Sequence, residues 1–169
     1  SAQMVPWILI FFVLLAQSPA NAVSRSRYQG TRRCMGVAWT VTVFTETLSK
    51  AEKAITAALD EVSRLENVLS DYQPTSELCQ LSALAPTHCP KQVSPDLWDV
   101  LVQAAAWRDR SQGAFDPTVG VFTDLWRKAR QTRHMPPVRQ LAAARNASGR
   151  EALRVEEAHK VSLLKPDMR

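Results

Sequence analysis

The alternation and the helical spacing of apolar residues divide the chain into predicted elements. Residues 36–44 alternate, with Val37, Trp39, Val41 and Val43 on one face, which is typical of a strand. From Ser49 onward apolar residues recur every three or four positions over about five turns, which predicts an amphipathic helix ending near residue 70. Further helices are predicted over 76–81, 94–110, 121–130 and 138–147, and short strands over 152–155 and 160–164.

Helix-capping residues support these assignments. Ser49 opens the long helix and has a glutamate three residues later, which forms a capping box. Ser76 can cap the short second helix, and Ser94-Pro95-Asp96 places a cap, a proline and an acid in the preferred order. Together the elements predict an α+β fold in which helices pack against a mixed or antiparallel sheet.

Length and composition add a prediction about the class of protein. A chain of 169 residues with 46% hydrophobic residues suits one globular domain. The formal net charge of +5 comes from 21 basic and 16 acidic residues and is weak support for a nucleic-acid partner, so none is predicted. The basic residues Arg127, Lys128, Arg130 and Arg133 are more typical of a solvated face than of a membrane or nucleic-acid contact.

The N-terminal segment has the pattern of an export signal. Residues 5–16 are almost continuously apolar, and Ala20-Asn21-Ala22 provides the small residues that a signal peptidase recognises. The apolar run is shorter than the roughly 20 residues that span a bilayer. We therefore predict a signal peptide over residues 1–22, cleaved after Ala22, and a polar segment over residues 23–34. A buried helix or an uncleaved anchor are the alternatives.

Export would expose the three cysteines to an oxidising compartment. Cys79 and Cys89 are close enough in sequence to form a disulfide, which would leave Cys34 unpaired. The alternative is three buried free thiols, and the sequence does not decide between the two. The spacing of Cys and His residues does not match a zinc site.

Two loops, residues 69–78 and 113–120, carry the residues most suited to binding chemistry. Gly113 permits close approach of backbone to a ligand, and Pro117 fixes the chain after Asp116. Phe115 or Tyr72 could contact an aromatic ligand whose polar edge is recognised by Asp116 and backbone groups. The alternative is structural: Asp116 caps the following turn and Phe115 belongs to the core.

The same loops resemble a known family. Residues 35–39 (MGVAW), 69–72 (LSDY) followed by Pro74 and residues 76–78 (SEL), and 113–120 (GAFDPTVG) resemble the motifs of the FAD:protein FMN transferases, the ApbE-like flavin transferases. The resemblance runs from about residue 35 to residue 169. The chain departs from the family pattern at Val37, Leu69, Asp71 and Gln112 and at residues 79–82.

The resemblance implies an exported, periplasmic bacterial enzyme. Such an enzyme splits FAD, attaches FMN through a phosphoester to a threonine of an acceptor flavoprotein of an electron-transfer system, and releases AMP. Magnesium (Mg2+) bridges the pyrophosphate of the FAD. By motif, the FAD-binding positions fall on Met35, Tyr72, Ala114, Phe115 and Asp116.

The resemblance also implies that residues 35–169 are the N-terminal part of the transferase domain. Family members continue into a segment that carries metal ligands and the catalytic base, so we expect these groups beyond residue 169 and an inactive fragment with an incomplete domain. His88, His134 and His159 match no catalytic motif and are predicted to be surface residues. The resemblance leaves open proximity to the inner membrane. A non-catalytic exported flavin-binding module is the alternative.

Overall fold

The computed structural model describes residues 24–168, and the predicted signal peptide lies outside this range. None of the helices in it is both long enough and apolar enough to cross a membrane. The elements in chain order are β1 (Ser26–Cys34), β2 (Val37–Thr45), α1 (Leu48–Leu69), α2 (Glu77–Ala83), β3 (Lys91–Gln92), α3 (Pro95–Arg110), α4 (Gly120–Thr132), α5 (Val138–Ala147), a 3-10 turn (Arg150–Ala152), β4 (Leu153–Glu156) and β5 (Lys160–Leu163).

The first two strands form a hairpin that packs on α1. They pair antiparallel in a register that places Ser26 opposite Thr45 and Cys34 opposite Val37. Gly30 faces the helix, and a Cβ atom at that position would overlap the side chain of Ile55. The polar segment before residue 35 is therefore strand β1, an element that its charged sequence did not indicate.

Helix α1 begins earlier than the capping pattern predicted. Thr47 is the N-cap, since its Oγ1 accepts a hydrogen bond from the backbone N–H of Lys50 at 3.3 Å. The predicted cap, Ser49, lies inside the first turn. The prediction was wrong because Thr47, two residues before Ser49, also has a side-chain hydroxyl that can cap a helix, and the helix begins after it.

The main core lies between α2, α3 and a second sheet. This sheet has the order β3-β5-β4, with both neighbouring pairs antiparallel. Strand β3 has two residues, too few to show alternation in the sequence, and it was not predicted. The buried cluster that joins the sheet to the helices consists of Leu81, Val93, Leu97, Leu101, Ala152, Leu153, Val161, Leu163 and Met168.

The α+β class is confirmed, with one change in architecture. The described strands form two small antiparallel sheets and not one sheet. The predicted caps Ser76 and Ser94 are confirmed, since each hydroxyl accepts from a backbone N–H of the first turn of its helix. Helix α5 and the strand pair β4–β5 also lie where the spacing placed them.

The three cysteines are free thiols in this structure. Cys34 is buried with its Sγ 3.4 Å from Ser63 Oγ, and the half-buried Cys79 directs its Sγ to the carbonyl oxygen of Ser70 at 3.3 Å. Cys89 is exposed. The structure thus shows the unbridged alternative, although only Cys34 is buried.

Candidate functional site

The loop after α1 is folded around two serines. Ser70 Oγ accepts hydrogen bonds from the backbone N–H groups of Tyr72 and Gln73, each at 3.2 Å. Ser76 is fully buried; its hydroxyl donates to the carbonyl oxygen of Ser70 and accepts from the N–H of Cys79 at 3.1 Å. Polar groups of the loop thus form hydrogen bonds with each other. The side chain of Tyr72 takes no part in these bonds and is 72% exposed.

The second loop is fixed by a chain of hydrogen bonds through Thr118. Asp116 Oδ1 accepts from the N–H of Thr118 at 2.9 Å and from its hydroxyl at 2.7 Å. The same hydroxyl accepts from the N–H of Gly149 at 2.8 Å, and Thr118 is only 2% exposed. Asp116 therefore does cap the following turn, which was the structural alternative, and it also joins the loop to the connection before β4.

The two loops meet at one cavity. Asp71 from the first loop and Asp116 from the second line a cavity of about 290 Å³, together with Thr118 and apolar side chains of α2, α3 and the second sheet. A second cavity of about 280 Å³ is lined by Tyr72, Pro74 and Cys79. Ser82 and Met168 line both, so the cavities share a wall. Apolar walls with a few polar groups are typical of small-molecule sites.

Arg127 of α4 braces the first loop. Its guanidinium donates to Asp71 Oδ2 at 2.6 Å and to Asp124 Oδ1 at 3.3 Å, and its Cζ lies 4.1 Å from the centre of the Tyr72 ring. The hydrogen bond to Asp71 raises the pKa of the guanidinium, so Arg127 stays charged. One cation thus neutralises a carboxylate of the cavity and holds the aromatic ring beside it.

Met35 lies at the tip of the β1–β2 hairpin, outside these two cavities. Its backbone has a left-handed φ of 51°, and its N–H donates to Glu66 Oε1 at 2.8 Å. The carbonyl of Glu66 accepts from the N–H of Ser70 at 3.0 Å. The hairpin tip is therefore tied to the end of α1, immediately before the Tyr72 loop.

Ala114 and Phe115 lie on the surface, and neither lines these two cavities. The N–H of Phe115 donates to Ser111 Oγ at 3.0 Å, which holds the backbone while the ring stays 47% exposed. Phe115 is not a core residue, contrary to the structural alternative. Of the predicted site residues, the structure brings Asp116 and Tyr72 to adjoining cavities and places Met35, Ala114 and Phe115 outside them.

The described residues hold no group of three or more His, Cys, Asp or Glu side chains that could bind a metal ion. Of the two cavity carboxylates, Asp71 pairs with Arg127 and Asp116 accepts from Thr118. These residues do not fit the ligand set that the magnesium implied by the resemblance requires. His88 and His134 are exposed as predicted, whereas His159 is half-buried edge-on against Trp98.

Sequence reasoning missed two residues of this arrangement. Thr118 follows Asp116 by two positions, a spacing at which an aspartate side chain accepts from the backbone, and this signal was readable. Arg127 was grouped with its basic neighbours as a solvated face, although it contacts Tyr72 and Asp71, which lie 55 and 56 residues away along the chain. No local pattern identifies such a contact.

The chain matches known proteins over most of its length. The model of the ApbE family matches residues 35–169. A protein of Chlamydia muridarum named FAD:protein FMN transferase is 28% identical over 96% of this chain and 51% of its own length. A protein of the same name from Chlamydia trachomatis serovar D is 30% identical over 71% of this chain and 37% of its own length.

Solved structures show the same fold. The flavin transferase ApbE from Vibrio cholerae superimposes with a TM-score of 0.72 at 21% identity, over 85% of this chain and 47% of that protein. The ApbE protein of Thermotoga maritima gives a TM-score of 0.71 at 19% identity, with 85% and 46% covered. The chain therefore spans about half the length of the relatives that it matches.

Proposed function

This chain belongs to the ApbE family, and from that we propose that it forms part of the FAD-binding cleft of an FAD:protein FMN transferase. The observation that supports the proposal most is the meeting of the two family loops: Asp71 and Asp116, 45 residues apart, line one cavity beside Tyr72. A flat ligand with a charged tail suits this combination of an exposed aromatic ring, apolar walls and fixed polar groups.

In the proposed complex, Tyr72 contacts one face of a flavin or adenine ring. Arg127 already lies over the Tyr72 ring, so the ring is oriented before the ligand arrives. Arg127 also pairs with Asp71 and compensates its charge, and Thr118 donates a hydrogen bond to Asp116. The pairing of Asp71 reduces the repulsion that the pyrophosphate of FAD would otherwise meet at this wall.

The proposed reaction is a phosphoryl-type transfer. The hydroxyl oxygen of an acceptor threonine forms a bond to the phosphorus on the FMN side of the pyrophosphate. The bridging P–O bond breaks, AMP leaves with that oxygen, and the hydroxyl proton is released. Placement of the reactants contributes much of the rate in such transfers, and placement is what the described residues offer. Magnesium would neutralise the pyrophosphate, and no step here depends on a ligand from residues 24–168.

The transferase assay tests the activity. The protein encoded by the complete reading frame is incubated with FAD, Mg2+ and a threonine-containing acceptor domain of a flavoprotein. We expect flavin fluorescence that stays with the acceptor in a denaturing gel and disappears when the acceptor threonine is replaced by valine. FAD binding without any covalent flavin on the acceptor would reject transfer and favour the non-catalytic flavin-binding module.

A matched pair of variants tests the binding site. We expect Tyr72→Ala to weaken FAD binding about 3- to 10-fold, the effect of losing one ring contact. Trp107→Ala is the control, because Trp107 is also exposed and lies under an arginine, with Arg110 Cζ 5.6 Å from its ring, but does not line the two cavities. Equal effects of the two substitutions on FAD titration would contradict the proposed site.

We also propose export to the periplasm, on the strength of the apolar segment 5–16 and the small residues that follow it. Sequencing of the N-terminus of the protein from the periplasmic fraction tests this. The expected first residue is Val23. A cytoplasmic protein that retains residues 1–22 would overturn the proposal.

A further inference from the structure

The positive charge of the chain is concentrated in one segment. Residues 125–150 contain seven of the 21 Lys and Arg residues and no Asp or Glu, so this segment supplies more than the net charge of +5. It comprises most of α4, the connection through residues 133–137, α5 and the start of the 3-10 turn. The segment therefore presents charge of a single sign over 26 residues, and the structure shows how these side chains are arranged.

Most of these charges are not used within the fold. Among residues 24–168, ion pairs of this segment involve Arg127 and Arg150. The charged groups of the five others are in no ion pair there: Lys128, Arg130, Arg133, Arg139 and Arg145. Unpaired cations of this kind are available to an anionic partner.

Exposed apolar side chains lie among these cations. Met135 is 73% exposed and Val138 is 82% exposed, at the tip between α4 and α5. Trp126 is also exposed and lines a shallow groove of about 430 Å³ together with Met135, Arg130 and Arg133. The groove therefore combines guanidinium groups with apolar surface within one short stretch of chain.

We propose that this tip, which we call the basic tip (Trp126, Arg130, Arg133, Met135 and Val138), docks on an anionic phospholipid bilayer. The guanidinium groups of the tip bind lipid phosphates, and the side chains of Trp126, Met135 and Val138 enter the boundary between headgroups and acyl chains. The surface lies on the tip of a helix pair and needs no membrane-crossing helix.

Two properties of the tip favour a bilayer over other anionic partners. The charged residues of this segment are all basic, which fits a partner of continuous negative charge. Duplex nucleic acid is such a partner, but its phosphate surface offers no apolar phase to protruding methionine and valine side chains. A bilayer offers the charge and the apolar phase together.

The test needs a local readout, because residues 5–16 of the full chain are themselves apolar. Vesicles of brominated phosphatidylglycerol or brominated phosphatidylcholine are added to the full chain, and the signal of Trp126 is obtained as the difference from Trp126→Phe. We expect quenching of Trp126 by the anionic vesicles, little by the neutral ones, and loss of quenching at high salt. In Arg130→Gln/Arg133→Gln, the vesicle concentration for half-quenching should rise about 30-fold.

Two further variants separate charge, apolar insertion and folding. Arg27→Gln/Arg33→Gln removes the same charge from β1 and should leave the Trp126 quenching unchanged. Met135→Ser/Val138→Ser should leave the thermal unfolding curve unchanged, because both side chains already face solvent in the fold, and should reduce the quenching.

Equal quenching of Trp126 by neutral vesicles, or no quenching by anionic vesicles at low salt, would overturn the proposal. The proposal would also be overturned if duplex DNA competed with the vesicles and Met135→Ser/Val138→Ser did not change the quenching. That result would indicate a general site for polyanions.

Discussion

Helix α4 uses its arginines in different ways in its middle and at its end. In the middle, Arg127 contacts Asp71, Asp124 and the ring of Tyr72. One turn later, Arg130 and the C-cap residue Arg133 have no ion pair among the described residues and line a groove with exposed Trp126. The middle of the helix is joined to the candidate site, and its end is open to a partner. Neighbouring residues of one type on one helix therefore need separate explanations.

The difference arises from what packs against each of these two regions. The middle of α4 faces the loop after α1, where Asp71 supplies an opposite charge. The end of α4 leads into the connection to α5, whose sequence contains no acid. The arginine that packs against an acidic residue of another segment is paired. The arginines beside a segment without acidic residues stay unpaired among the described residues.

The largest effect that we expect is the loss of the bonds that anchor the loop before α4. Thr118→Val removes the hydroxyl that donates to Asp116 and accepts from Gly149, and leaves the half-buried N–H of Gly149 without its partner. We expect the free energy of unfolding to fall by about 2–3 kcal/mol. Urea denaturation followed by circular dichroism measures it.

Thr123→Val is the matched control for this change. Thr123 is exposed and its hydroxyl makes only a 3.4 Å contact with the carbonyl oxygen of Val119. We expect a change within about 0.5 kcal/mol. Equal losses of stability in the two variants would show that the Thr118 bonds do not anchor the loop.

The second effect concerns Arg127, which contacts both Asp71 and the ring of Tyr72. Arg127→Gln leaves a polar side chain but removes the cation over Tyr72 and the charged partner of Asp71. We expect about 3- to 5-fold weaker FAD binding, from one cation–π contact at an exposed site. Arg130→Gln should leave FAD binding unchanged. Isothermal titration of FAD into both variants decides, and a larger loss in Arg130→Gln would reverse the roles assigned to the middle and the end of α4.

The third effect lies at the end of α4. Arg133 is the C-cap of the helix and has a left-handed φ of 56°, a conformation that glycine adopts with less strain. We expect Arg133→Gly to raise the free energy of unfolding by about 0.5–1 kcal/mol while weakening binding to anionic vesicles about 5-fold. Stability lost together with vesicle binding would indicate that Arg133 is a structural residue like Arg127.

The smallest effect tests whether ion pairs at an exposed position are enough for an arginine to contribute to the stability of the fold. Arg64 links α1 to α3 through Glu61 and Asp96, each at 2.7 Å, but all three side chains are solvent-exposed. The hydrogen bonds from Arg64 lower the pKa of both carboxyl groups. Their contribution to stability is therefore present above the unfolded-state pKa values of about 4 and is lost as the pH falls through the lowered values.

Arg64→Gln measures this contribution. We expect a small loss of thermal stability at neutral pH that shrinks as the pH falls through the lowered pKa values of the two carboxyl groups. A difference that does not shrink as the pH falls would mean that Arg64 acts through packing of its aliphatic chain.

Helices were predictable where the apolar stripe was long and the start was marked by a hydroxyl. Ser94 with Pro95 located α3, and the spacing of residues 138–147 located α5. Strand β1 was not predicted because its residues are mostly polar and half of the hairpin faces solvent. Its position is set by pairing with β2 and by the small residue Gly30 against Ile55.

The candidate site was predictable only as separate pieces. The sequence motifs placed Tyr72 and Asp116 in two separate loops, and the structure brings these residues to adjoining cavities. The brace by Arg127 depends on the packing of α4 against the first loop, which no local pattern encodes. Met35 shows the same limit, because its link to the site passes through Glu66 on a different element.

The hydrogen bond from Gly149 to Thr118 makes one amide proton a natural reporter of the site. That N–H belongs to the connection before β4, yet its acceptor oxygen is the hydroxyl that holds Asp116. A motion that moves Thr118 away from Gly149 exposes this proton to water. Its exchange rate, read by NMR without any label in the cavity, therefore reports how often the Asp116 loop opens and whether an added ligand keeps it closed.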